Sequence, residues 1–106
     1  MSDKLTDEKF EELKTQFGEV VVVETKLGPC VFRCYKRAEY DRYMSFLFDE
    51  KKRHKAQEII VRSTVVYPST AQFDEMVDRA PGIITTCTSA VLELGGQTGE
   101  PEIRKS

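Results

Sequence analysis

The sequence is short of three things: long apolar runs, histidine and paired cysteines. Each shortage removes a class of protein. No stretch approaches the ~20 apolar residues that span a bilayer. No signal-peptide apolar region follows Met1-Ser2-Asp3-Lys4, so the expected location is a cytoplasm. The cysteines are Cys30, Cys34 and Cys87, an odd count without framework spacing. If Cys30 and Cys34 share a strand, their Cα atoms stand about 13 Å apart at ~3.3 Å per residue. That is too far for a disulfide and awkward for two ligands of one zinc ion, so reduced, half-buried thiols are expected.

The lone histidine, His54, lies in Lys51-Lys52-Arg53-His54-Lys55. A base for nucleophilic catalysis is held by a third group in a protected cleft, and a solvated charge run supplies neither. Asp74, Glu75 and Asp78 share a helix as carboxylates on many wet helix faces do, and nothing marks them as an acid/base pair. Gly95-Gly96-Gln97-Thr98-Gly99 has no following Lys-Ser/Thr, no preceding strand and no helix after it, so a phosphate loop lacks its parts. The residues alone therefore point to a protein that is not an enzyme and has no catalytic residue, cofactor or metal site.

The totals describe an ordinary globular chain: 106 residues, 40% hydrophobic, 32% charged, net charge −2. One domain with a modest core follows from this length. The basic cluster Lys51–Lys55, with Arg62 beyond it, is the feature that could touch phosphate, non-specifically and with strong salt dependence. Asp49 and Glu50 adjoin it and the whole chain is acidic. No RNA- or DNA-binding signature is present either, so nucleic acid is not the expected partner.

The central stretch is Arg37 to Pro68. Tyr40, Tyr43, Met44 and Leu47 follow the i, i+3, i+4, i+7 spacing of a helix. Ala56, Ile59, Ile60, Ser63 and Tyr67 repeat it after the charged island Asp49–Lys55. Two helices, or one kinked there, are expected. Val61 and Val65 fall away from Ile59, Ile60 and Tyr67 at 100° per residue, which gives the second helix a second apolar stripe for a partner. Its β-branched content also allows a strand over Glu58–Tyr67.

Elsewhere the signals are simpler. Leu5–Phe17 reads as an amphipathic helix capped by Thr6 and stopped by Gly18. Val20–Val23 and Cys30–Tyr35 read as strands of a β-hairpin around Lys26-Leu27-Gly28-Pro29. Ser69 and Gln72 form a capping box for a helix carrying Phe73, Met76, Val77 and Ala80. A last helix spans roughly Thr85–Leu94. The expected fold is α+β and mostly helical: an N-terminal helix, one β-hairpin, then about four short helices. Residues 1–96 form the domain and 97–106 a flexible tail. Phe46, Phe48, Val61 and Val65 are the expected partner interface, the hairpin edge a second one, and a homo-oligomer is compatible with both.

Several of these features occur together and in order. They are a β segment leading into Glu39-Tyr40 at a helix start and a helix ending in Val65-Val66-Tyr67-Pro68. Phe73, Pro81-Gly82-Ile83 and a last helix closing on Leu92-Glu93-Leu94-Gly95-Gly96 follow. With the Phe10-x-x-Leu13 helix before the hairpin, the chain resembles the short tail assembly chaperones of long-tailed bacteriophages. Lys36-Arg37 stands where that family places a Ser or Thr helix cap. The resemblance implies a non-enzymatic chaperone in the host bacterial cytoplasm that keeps the tape measure protein soluble during tail assembly. It also implies a longer frameshifted form that recruits the tail tube protein. The alternatives are a structural protein of the tail or connector, or a small nucleic-acid-associated factor.

Overall fold

The computed structural model describes residues 5–96, so the expected tail at 97–106 lies outside the described residues. Helix α1 spans Asp7–Phe17, with the Thr6 hydroxyl accepting from the Lys9 backbone N–H at 3.1 Å. Gly18, at φ 79°, ends it, in a backbone region that disfavours other residues. Strands β1 (Val20–Thr25) and β2 (Gly28–Arg33) form an antiparallel hairpin in which Thr25 faces Gly28. The turn is thus the two residues Lys26-Leu27, tighter than the expected four, and Gly28 (φ 122°) and Pro29 belong to the strand.

Four helices follow the hairpin: α2 (Arg37–Leu47), α3 (Ala56–Thr64), α4 (Thr70–Arg79) and α5 (Ile83–Leu94). A 3₁₀ turn at Arg53–Lys55 leads into α3. The α+β, mostly helical architecture agrees with the sequence reading. One strand was not expected as a separate element: β3, Val65–Tyr67, pairs antiparallel with β2 and makes a sheet of order β1-β2-β3. The helix and strand alternatives for Glu58–Tyr67 are therefore both realised, in succession. The Ser63 and Thr64 hydroxyls each donate back to the carbonyl four residues earlier, Ile59 and Ile60, at 2.8 Å. Beyond them, Val65-Val66-Tyr67 is β-branched and aromatic, and Pro68 biases Tyr67 toward extended backbone.

β2 is the central strand, and Cys30, Val31 and Phe32 are all fully buried instead of alternating, so both of its faces are covered. Cys30 and Phe32 join Val23, Tyr43, Ala56, Ile60, Val61, Phe73, Cys87 and Val91 in the main core. Phe32 meets the edge of Phe73 at 5.8 Å between ring centres, a favoured aromatic geometry. Val31 lies outside that core, as does Leu13, the buried residue of α1, which packs beside β1. Cys30 and Cys87 are thus wholly buried, not half-buried as expected. The neighbouring Cys30 thiol, reinforced by burial, pushes the Cys87 thiol up.

Two contacts tie the helices to β2 and to the segment that follows it. The Arg33 guanidinium at the end of β2 donates to both Glu39 carboxylate oxygens, at 2.8 and 2.7 Å, and to the carbonyls of Cys34 and Ser63. Glu39 also accepts from the Lys36 backbone N–H at 2.8 Å, supplying the cap that the Lys36 side chain cannot. At the other end, Gly95 lies against the ring of Tyr35. A Cβ there would collide with the ring, so a larger residue at this position displaces Tyr35. Tyr35 in turn stacks on Tyr40 of α2 at 5.4 Å.

Arg33 holds the Glu39 carboxyl below its ordinary range, through the hydrogen bonds first. A folded pKa below the unfolded one gives stability that is present above the unfolded value, about 4.3. It fades as pH falls through the lowered folded value. Glu39→Gln therefore costs roughly 1.5–3 kcal/mol at neutral pH. The deficit narrows in urea melts below about pH 4. In a thiol titration of the native protein, only partly exposed Cys34 reacts promptly, and Cys30 and Cys87 react on unfolding.

Candidate functional site

The helix α3 sets the geometry of the surface. Ala56, Ile60, Thr64 and Val61 are its buried residues. At 100° per residue they fill an arc of about 140°, with Ile60 and Val61 both inside it. Val61 is therefore core and fully covered, and it cannot face a partner in the folded chain. The expected Val61/Val65 stripe does not exist, because Val65 has left the helix for β3 and packs, half-buried, against the core. The apolar residue displaced from the arc is Ile59.

Ile59 lies in an open groove of about 560 Å³ between α2, α3 and α4, with Val77 as its other large apolar residue. The groove is lined on the α2 side by Arg42 and, from the 3₁₀ turn, Lys55. On the α4 side it is lined by Asp74 and Asp78. Glu58, Arg62 and Ser63 of α3 complete it. Arg62 and Asp74 tie α3 to α4 by paired hydrogen bonds of 2.8 and 3.0 Å. Arg62 holds the Asp74 carboxyl below its ordinary range by that hydrogen bond. Lys55 and Asp78 make no ion pair among the described residues.

Phe46, near the end of α2, reaches this groove through Arg42, and Phe48 follows it at the helix C-cap. Phe46 is half-buried, with the Arg42 guanidinium 5.8 Å and the Lys52 ammonium 5.4 Å from its ring centre, both within cation–π range. Arg42 thus belongs to the groove and to the aromatic shoulder alike. Phe48 is 74% exposed, against 37% for Phe17, the other exposed large apolar side chain among the described residues. Arg53 donates to the Leu47 carbonyl at 3.0 Å and fixes the chain where Phe48 emerges.

Of the four expected interface residues, the structure leaves Phe48 on the surface and Phe46 at its edge. It removes Val61 and shifts Val65 to the sheet. The groove itself was not expected. Ile59 and Val77 were both legible as apolar residues of helical faces. Nothing local signalled that walls drawn from α2 and α4 would converge over them.

His54 is exposed on the 3₁₀ turn, and no group of three or more metal-ligating side chains is present among the described residues. Within the same residues, no helix is long and apolar enough to cross a membrane.

No family model matches this sequence, and no curated protein does. Among solved structures, the chain is similar to the uncharacterised protein rbstp2171 from Bacillus stearothermophilus. The identity is 18%, the TM-score 0.70, and the match covers 90% of this chain and 99% of that one. At that identity the likeness establishes a shared fold.

Two aspartate substitutions separate core from surface. Val61→Asp places an uncompensated carboxylate in the core and abolishes cooperative melting. Phe48→Asp changes stability by no more than about 0.5 kcal/mol. Circular dichroism melts read both.

Proposed function

We propose that this chain is a tail assembly chaperone of a long-tailed bacteriophage, acting without chemistry of its own in the host cytoplasm. It binds the tape measure protein and keeps that long, helical, aggregation-prone chain soluble until tube subunits surround it. The observation that carries the reading is the groove with its aromatic shoulder. An apolar floor lies between charged walls, next to the half-buried Phe46 ring, and Phe48 after it is left 74% exposed. Apolar surface gathered in one place, unlike a single exposed side chain, marks sites where partners bind. The order of sequence features that resembles the chaperone family supplies the partner's identity. A longer frameshifted form would add the contact to the tail tube protein.

Co-expression tests this directly. The tagged chain, expressed with the products of its neighbouring genes, retains a very long helical protein that is insoluble when expressed alone. If that protein is soluble and unbound without this chain, the reading fails. Presence of the chain in purified virions would favour a structural protein of the tail or connector instead.

A further inference from the structure

We propose that the groove between α2, α3 and α4 takes one kind of occupant. It is an amphipathic helix of the partner, with carboxylates along one flank of its apolar stripe and cations along the other. The proposal rests on the chaperone reading only for the existence of a helical partner. The charge layout of the groove carries the rest.

The two sides of the groove are of opposite sign. Arg42 and Lys55 are the residues contributed from the α2 side, and Asp74 and Asp78 are charges contributed by α4. Asp74 is engaged by Arg62, which leaves Asp78 of α4, Arg42 and Lys55 from the α2 side, and Glu58 of α3 without an ion pair among the described residues. Between the two sides lie Ile59 and Val77. A helix meets such a groove by laying residues i, i+3, i+4 and i+7 on the floor, with its flanking positions against the walls. It also satisfies its own backbone hydrogen bonds, which an extended chain over an apolar floor does not.

Uniform flanks of either sign would set like charges against one wall, which lowers affinity and selects against that partner. Segregated flanks match both walls, and in one chain direction only, because turning the helix end for end exchanges its flanks. The groove therefore selects polarity as well as composition.

The test uses the full-length protein and labelled synthetic peptides of about 18 residues, some five helical turns. All share one apolar stripe. Their flanks are Glu on one side and Lys on the other, Glu on both, or Lys on both. A fourth peptide carries the segregated flanks and a central proline. Fluorescence anisotropy at low salt is expected to show the segregated peptide binding about tenfold tighter than either uniform one. The proline peptide is expected to bind weakest. With Arg42→Glu and Lys55→Glu together, both walls are acidic and the Lys-flanked peptide becomes the tightest. With Asp78→Lys, the Glu-flanked peptide does. All three positions are exposed, so the variants fold.

Four results would overturn the proposal. They are equal binding of the three helical peptides, no binding of any of them to the unaltered chain, a ranking that neither variant shifts, or full binding of the proline peptide. Co-expression separates this from the parent reading. If the long helical protein is captured equally by the unaltered chain and by both variants, the groove is wrong and the chaperone role stands. If the peptides rank as expected while no such protein is captured, the chaperone role falls and the groove stands.

Discussion

One guanidinium holds three elements of this fold in register. Arg33 sits at the end of the central strand and reaches the N-terminal turn of α2 through Glu39. It also reaches the last turn of α3 through the Ser63 carbonyl. Both helix ends suit it: a carboxylate is stabilised where α2 begins, and a cation where α3 ends. The pair is largely shielded, with side-chain exposures of 20% and 22%, so water and salt weaken it less than they weaken a surface bridge. Because α2 and α3 both line the groove, this ion pair sets the spacing of the α2 wall from the α3 floor, while Arg62 and Asp74 set that of α4.

Much of the fold was legible in local chemistry. Thr6 and Ser69 announce helix starts that the structure uses, each hydroxyl accepting a backbone N–H three residues on. The four-valine run gives β1, and Pro68 ends the central stretch as its ring requires. Such signals need only neighbours in sequence. The start of α2 shows the limit: Lys36 looks like a poor cap, and the Glu39 carboxylate that completes it is held in turn by Arg33, six residues away.

The surface was read less well, for a definite reason. Periodicity ranks positions around a helix but does not say how wide the buried arc will be. With one covering element, α3 would bury a narrow stripe, and Val61, 100° from Ile60, would be outside it. In the structure α3 contacts both α2 and α5, which widens the arc to include Val61. Ile59, on the opposite side of Ile60, is left at the margin and becomes groove floor. Phe48 was recognisable because the surrounding charges leave it no core to join.

The contact of Gly95 with the Tyr35 ring makes a mechanical joint. The Tyr35 ring lies between the end of α5 and Tyr40, and Tyr40 is followed by Tyr43 on the same helix at 6.3 Å between ring centres. Tyr35 thus bridges the end of α5 and the first turns of α2. At the opposite end of α2 stand Phe46 and Phe48. The helix that carries the aromatic shoulder is therefore held at its start by the same ring that packs against the end of α5.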